Sequence, residues 1–327
     1  MLQAYKIAKD TLKVEHIDIS SIKDALGDSS CFVWVDFENP PDVWPNSEEM
    51  SILKCVFKIH FLVLEDCVAK KHYPKVDEHE NYTFFIISKL YEREDQELDY
   101  NKICIITGKD FVITYRHTEI KEITAVKKAL EAQQEDFKDP IDVLHSIADR
   151  IVDDYISIID SYTTKVDEIE DLLFEKHESR EILQNVNILR KNLIILRRST
   201  LIQKEMFYNL SSGTIKISNP GKIIYFKDVY DHLDRVLWKI DNQKEYIAGL
   251  LNIYVGLSTQ KLNSLVKFLT IISATLFPAS LMAGIFGMNF AKMPLIGLDS
   301  GFYLILFLML LLSLITILFF QRQKWLF

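Results

Sequence analysis

From Phe268 to Ala291 the sequence holds no charged residue, and once Lys292 and Asp299 have passed, a second uncharged stretch runs from Ser300 to Gln321. At 1.5 Å of rise per residue, either stretch is long enough as a helix to cross the roughly 30 Å of hydrocarbon in a bilayer. Two membrane spans are therefore predicted, over 268–291 and 300–321, joined by a loop over 292–299. The 327 residues are 49% hydrophobic and 26% charged, an average that conceals two unlike parts. The region from Phe268 onward carries Lys292, Arg322 and Lys324 against Asp299, a net of +2, which leaves −10 on the first 267 residues out of a total of −8. An acidic soluble part argues against a nucleic-acid partner, which calls for a basic face, and makes a cationic ligand natural.

Met1 to Asp18 mixes Lys6, Lys9, Asp10, Lys13 and Glu15 with apolar residues and offers no uncharged core for a signal peptide, so the soluble part is expected to fold on the side of synthesis. Cys31, Cys55, Cys67 and Cys104 form no C-x-x-C pair and no metal-ligand spacing, and read as reduced core residues. Lys261 and Lys267 precede the first span and Arg322 and Lys324 follow the second, whereas Lys292 and Asp299 cancel in the loop. The positive-inside rule then puts both termini, including the basic tail 322–327, in the cytoplasm and the loop outside.

Residues 1–140 read as a cytoplasmic α/β domain. Cys31 to Phe37, Tyr82 to Tyr91, Ile103 to Thr107 and Phe111 to Tyr115 are short β-branched and aromatic runs bounded by turn signals, hence strands, the last two joined as a hairpin through Gly108-Lys109-Asp110. Glu48 to Leu64 has helical spacing. Across 141–222 apolar residues recur at three and four, at Val143, Ile147, Ile151, Tyr155 and Ile158 and again at Val166, Ile169, Leu172 and Leu173, which predicts long amphipathic helices interrupted near His177-Glu178-Ser179. Ser211-Ser212-Gly213 and Asn219-Pro220-Gly221 break the pattern. It resumes near Phe226 as a stalk helix over 223–267 that continues into the first span toward Asn289, a run of roughly 95 Å that needs partners along its length.

The first span ends in Gly284-Ile285-Phe286-Gly287-Met288-Asn289, with Pro294 soon after. Taken alone, this is a helix C-terminus in which Gly or Asn makes a left-handed turn and proline forbids continuation. Taken with two C-terminal spans, a short outer loop, a long acidic domain and the tail Lys324-Trp325-Leu326, it resembles the CorA family of divalent-cation channels, defined by Gly-Met-Asn at the outer end of the first of two such spans. The resemblance is strongest over Tyr225 to His232 and Lys267 to Phe290. It implies a homopentamer in which the α/β domains and stalk helices form a funnel and the first spans line a pore. The implied setting is a bacterial or archaeal plasma membrane, crossed twice per chain. The implied activity is Mg²⁺-gated entry of Mg²⁺, with Co²⁺ or Ni²⁺ as further cargo, and no resident cofactor.

Stepping back from Gly287 by three and four gives Gly284, Ser280, Phe277, Ser273, then Thr270 or Leu269, then Val266, Asn263 and Thr259, a stripe of small, polar or moderately apolar residues. Packing of small residues between transmembrane helices accounts for the glycines but less well for the hydroxyls of Ser273 and Ser280. As a filter, Gly287, Met288 and Asn289 would offer neutral oxygens to the waters of hydrated Mg²⁺, which gives up its shell reluctantly; a carboxylate ring would hold the ion too tightly to release it. Val266, Leu269 and Phe277 would form apolar rings that gate by dewetting. Many relatives follow the motif with Met-Pro-Glu, but here Met293-Pro294 leads into Leu295, and Asp299 is the loop's one acid against Lys292. The choice among Mg²⁺, Co²⁺, Ni²⁺ and Zn²⁺ stays open on these residues.

Asp77-Glu78-His79-Glu80 near His72 has metal-ligand residue types but matches no zinc or calcium spacing, and reads as a solvated turn. Arg190-Lys191 and Arg197-Arg198 read as the exposed side of a helix. No Gly-rich phosphate loop, nucleophile elbow or H-E-x-x-H occurs, so no enzyme activity is expected. Asp228 and Asp231 lie near the start of the stalk helix. The resemblance implies that an acid at Asp228 binds regulatory Mg²⁺ across a subunit interface with a carboxylate of the α/β domain, for which Glu94 is the nearest match. Two other readings compete: a proton-coupled zinc transporter of the same superfamily, and a membrane-anchored coiled-coil adaptor.

Overall fold

Seven of the eight residues of Cys31–Glu38 are buried, as in a central strand covered on both faces. The computed structural model, described over residues 2–38, 48–176, 180–217, 219–288, 294–295, 300–323 and 325, makes this run β3 of a mixed sheet. The other strands are β1 (Leu2–Ala8), β2 (Val14–His16), β4 (Lys75–Glu78), β5 (Tyr82–Glu92), β6 (Leu98–Gly108) and β7 (Phe111–Arg116), in the order β2-β1-β3-β7-β6-β5-β4. The pair β3 and β7 is parallel and the remaining pairs are antiparallel. The predicted hairpin is present, with Thr107 opposite Val112. Asp77 and Glu78 are residues of β4 paired to Phe84 and Thr83, so the expected solvated turn is half edge strand.

Side-chain alternation sorts the two faces. Val33, Val35, Phe84, Ile86, Ile106 and Ile113 pack with Ile22, Leu53, Val63 and Leu64 from α1 (Ile22–Ala25), α2 (Glu48–Cys55) and α3 (Phe61–Val68). The single helix expected over Glu48 to Leu64 is thus two: Lys58 adopts a positive φ of 56°, and the His60 ring accepts a hydrogen bond from Leu62 N at 3.3 Å to start α3. The opposite face meets α4 (Lys121–Glu131), α5 (Pro140–Lys176) and α6 (Arg180–Ser211), through Tyr155 Oη donating to Ser88 O at 2.7 Å and Asn192 Oδ1 accepting from Leu98 N at 2.9 Å. On that face Asp36 is buried against Arg116, 2.9 Å away, and Lys127. Burial alone would raise the Asp36 carboxyl, but the hydrogen bonds and charges of the two cations outweigh it and hold it below its ordinary range.

Two compact units divide the chain, Met1–Phe174 with Ser179–Ala248, and Glu175–Glu178 with Gly249–Phe327. The break expected near His177 falls between α5 and α6, at residues outside the described ones. The buried stripe of α5 is as read except that Ile159, not Ile158, carries it on and Leu172 is half-buried beside buried Leu173, because the 3.6-residue repeat shifts the phase. After a short 3₁₀ turn at Pro220–Lys222, α7 (Ile223–Phe286) runs 64 residues. In the first unit α7 buries Phe226, Val229, Leu233, Val236, Ile240 and Ile247; Phe226 stacks on Phe207, and Arg197–Asp241 (2.8 Å) and Lys239–Asp160 (2.6 Å) tie it to α6 and α5. In the second unit, Leu251 to Thr270 are all exposed or half-exposed, with Ile253, Val255, Leu262, Leu265 and Val266 open. The last helix, α8 (Gly301–Arg322), is apolar almost all round; Gly301 is buried, Ile305, Met309, Ser313, Thr316 and Phe320 are half-buried, and the rest are exposed, as on a lipid-facing helix.

Candidate functional site

The membrane-length part of α7 has two distinct faces. Ile271 is buried and Ala274, Thr275, Pro278 and Met282 half-buried, a stripe toward α8, where Ser313 Oγ donates to Thr275 O at 3.4 Å. The residues read as pore-lining, Asn263, Val266, Leu269, Thr270, Ser273, Phe277, Ser280 and Gly284, are all exposed; Phe277 is 70% and Leu269 64% accessible. Two positions along a helix turn a side chain by about 200°, so Ser273 and Ile271 lie on nearly opposite sides. The polar hydroxyl of Thr270 donates to Val266 O at 2.7 Å, and that of Thr259 to Val255 O at 2.8 Å, so the ladder bends its polarity back onto the helix at these turns.

At the end of α7, Gly287 N donates to Ala283 O at 2.8 Å and Met288 N to Ile285 O at 3.3 Å. The sequence expectation for this terminus was a left-handed Gly or Asn; Gly287 is not left-handed, and Asn289 lies outside the described residues. Glycine is needed at Gly287 for a different reason: a Cβ there would sit 2.9 Å from Ala283 O. Met288 is exposed. Asn289, Lys292 and Asp299 lie outside the described residues. Beyond them, Leu295 is left-handed at φ 74°, and a Cβ on Gly301 would be 2.0 Å from Leu295 O, so glycine opens α8 by necessity.

A second constellation lies in the first unit, where α7 packs on α5. Asp149 and Asp153, one turn apart on α5, and His232 on α7 present ligand atoms all within 4.8 Å of one another. His232 Nδ1 is 3.9 Å from Asp149 and its Nε2 3.9 Å from Asp228, and Nδ1 is buried without a hydrogen-bond partner. Burial, reinforced by Asp153 and Asp228 and opposed by His145 and His232, raises the Asp149 carboxyl above its ordinary range. The His145 ring lies 5.0 Å from that of Tyr225, and burial pushes its pKa down against the pull of Asp149 and Asp228. Two carboxylates with an unsatisfied imidazole fit a divalent cation: Mg²⁺ on the oxygens with His232 reached through a water, or a first-row ion such as Co²⁺ on oxygen and nitrogen together.

Asp228 therefore joins a cluster whose other members sequence reasoning missed. Asp149 and Asp153 look like a solvated helix face, and the one signal in the sequence was two i,i+4 pairs of ligand residue types, on helices that the structure lays side by side in the same direction. Within one chain Glu94 is exposed in the turn between β5 and β6, and Asp231 is exposed on α7; neither is brought to the cluster by a described contact.

The pattern of the family described as CorA-like Mg²⁺ transporter protein matches residues 29–322. The chain is 30% identical over 295 residues to the protein YfjQ of Bacillus subtilis, provisionally named a metal ion transporter, covering 89% of each. It is 29% identical over 278 residues to a cobalt/magnesium transport protein, CorA, of Thermotoga maritima, covering 83% of this chain and 78% of that one. The complete structure of the CorA magnesium transporter of Methanocaldococcus jannaschii superposes with a TM-score of 0.86 at 22% identity, over 100% of this chain and 99% of that one.

Proposed function

The chain belongs to the family of CorA-like Mg²⁺ transporter proteins, and from that premise we propose that it is a Mg²⁺-gated channel for Mg²⁺ and Co²⁺. The observation that carries the pore is the division of α7 into a face toward α8 and an exposed remainder in which the stripe Ser273, Ser280 and Gly284 lies beside large apolar residues such as Leu276, Phe277 and Ile285. Five copies around an axis would turn Asn263, Ser273, Ser280 and Gly284 inward and cover the apolar residues left open between Leu251 and Thr270. The filter Gly287-Met288-Asn289 would hold the hydrated ion by neutral oxygens, and Leu269 and Phe277 would close the path when dry.

The membrane is the plasma membrane, with both termini cytoplasmic, and the potential drives entry by about 2.3 kcal/mol per charge per 100 mV. Cytoplasmic Mg²⁺ at Asp149, Asp153, His232 and Asp228, joined by an acid such as Glu94 or Asp231 of a neighbouring subunit, would neutralise facing carboxylates and favour a closed, symmetric state. Ion binding to that state shifts the population by its differential affinity and gives negative feedback. The cobalt and magnesium names of the relatives favour this reading over a proton-coupled zinc transporter or a membrane-anchored adaptor.

Flux into proteoliposomes, with Mg²⁺, Co²⁺, Ni²⁺ and Zn²⁺ in competition and with or without a proton gradient, tests it. Mg²⁺ flux indifferent to the gradient is the expected result. Flux that needs the gradient, or none at all, would favour the competitors. Detergent-corrected mass is expected at five chains, and a conducting monomer would refute the assembly.

A further inference from the structure

We propose that the cytoplasmic ends of α7 and α8 bind the headgroup of an anionic phospholipid, with Lys267 and Arg322 as the cations for its phosphate and Trp325 as the anchor beside them. The proposal rests on the reading that both helices cross a membrane with the chain termini on the cytoplasmic side. The residues it uses all lie in the second unit. Its origin is a charge that this part of the sequence leaves without an offset. From Gly249 to Phe327 the one acidic residue is Asp299, which belongs to the loop joining the other ends of the two spans.

Helix packing brings the two cations to one level. The helices touch where Ser313 Oγ donates to Thr275 O, and again where Lys267 Nζ lies 5.9 Å from the centre of the Trp325 ring, so they run antiparallel. From the first contact Lys267 is eight residues back along α7 and Arg322 nine residues on along α8, about 12 and 13.5 Å of helical rise. Each thus stands just outside an uncharged stretch, at the same depth. Beyond α8, Trp325 N donates to Phe320 O at 3.1 Å, which folds the chain back and brings the indole 5.4 Å from the Phe320 ring. The indole face attracts the Lys267 ammonium but carries no formal charge, so the pair of cations keeps its +2. Lys267, Arg322 and Trp325 are all exposed.

The surroundings select a lipid over a soluble anion. Phe268 on α7 and Leu318 and Phe319 on α8, next to the cations, are open large apolar side chains. Acyl chains that continue from the phosphate along these residues gain burial that a free anion lacks. Tryptophan at the headgroup level presents an apolar ring and a polar N–H, and basic pockets between helices on the cytoplasmic side suit anionic headgroups. A phosphatidylcholine headgroup would bring its quaternary ammonium against the same two cations, whereas phosphatidylglycerol carries a net negative charge and no ammonium.

The probes are phosphatidylglycerol and phosphatidylcholine with matched brominated chains, added to phosphatidylcholine bilayers that hold the full-length protein. Bromine quenches nearby tryptophan fluorescence. Trp34, Trp44 and Trp238 precede the spans, and subtracting the signal of Trp325→Phe isolates Trp325. Brominated phosphatidylglycerol should quench Trp325 at the lower mole fraction. That preference should fall about 5-fold in Lys267→Gln and again in Arg322→Gln, the value of one basic residue at an anionic surface. It should persist in Lys267→Arg, which keeps the charge, and in Lys54→Gln, which removes an exposed lysine of α2. Equal quenching by the two lipids, or a loss in Lys54→Gln as large as in Lys267→Gln, overturns the proposal and leaves the membrane reading standing. Quenching by neither lipid overturns both. Loss of the preference in excess inorganic phosphate would assign the site to a soluble anion and overturn the lipid.

Discussion

Asp149→Asn should make the protein more stable without Mg²⁺ and less stable with it. The Asp149 and Asp153 ligand oxygens lie within 4.8 Å of each other. Two unit charges at that distance repel by about 0.9 kcal/mol in water and about 3.5 kcal/mol at an effective dielectric of 20. Asp149 is 34% accessible and Asp153 exposed, so solvent screening puts the value near the low end, about 1 kcal/mol. The raised Asp149 carboxyl fixes the sign. A folded-state pKa above the unfolded value adds stability below about pH 4, and that contribution is lost as pH rises through the raised value. At neutral pH the ionised group is a cost that asparagine removes. With Mg²⁺ at a hundred times its dissociation constant, the wild type gains about 2.7 kcal/mol by mass action, and a variant lacking one ligand gains far less. At roughly 2 °C per kcal/mol for a large chain, Tm should be about 2 °C higher for the variant in chelator and lower by a few degrees in saturating Mg²⁺. Differential scanning calorimetry of the detergent-solubilised protein reads both. An unchanged order of the two Tm values in chelator and in Mg²⁺, or an equal rise for both proteins, would refute the argument.

Asn289→Ala should abolish Mg²⁺ flux in proteoliposomes with the oligomer intact on gel filtration, whereas Ser280→Ala, which removes a hydroxyl and keeps the width, should reduce flux only mildly; normal uptake by the first variant would sink the filter assignment. Asp228→Asn should raise flux at high internal Mg²⁺ and weaken the protection that Mg²⁺ gives α7 against protease, and wild-type responses in both assays would make Asp228 an ordinary surface acid. Asp36→Ala leaves Lys127 a buried charge without a carboxylate and Arg116 with Glu38 alone, and should cost about 3 kcal/mol in chemical denaturation. In the wild type the depressed Asp36 carboxyl contributes stability above its unfolded pKa, lost as pH falls through the folded value; an Asp36→Asn variant with the same acid limb would contradict this.

The strands that were legible are those whose both faces are buried, since Cys31–Glu38 and Tyr82–Glu92 are nearly continuous apolar runs. Leu2–Ala8 was not, because Gln3 and Lys6 interrupt it and its partner β2 has three residues. The break between α2 and α3 was hidden because Val56, Phe57 and Ile59 keep the apolar pattern going while Lys58 turns the backbone. The Gly-Met-Asn motif was legible because its three residues are contiguous in sequence. The candidate cation cluster was not, since Asp153 and His232 are brought together only by the packing of α5 on α7, and neither residue departs from what a solvated helix face would carry.

The 64 residues of α7 run without interruption, with Pro278 its one proline, placed far toward the outer end. Within the second unit, from Gly249 to Gly287, it measures about 57 Å. Helices bend sharply only at defects such as proline, glycine–serine pairs or π-bulges, and the stretch between Asp228 and Ile271 has no proline to concentrate a bend. Under the proposed channel reading, a rotation of about 3° at Gly249 would sweep Gly287 through an arc of roughly 3 Å, close to the diameter of one water molecule, so a small turn at the base of this segment would decide whether a hydrated ion passes.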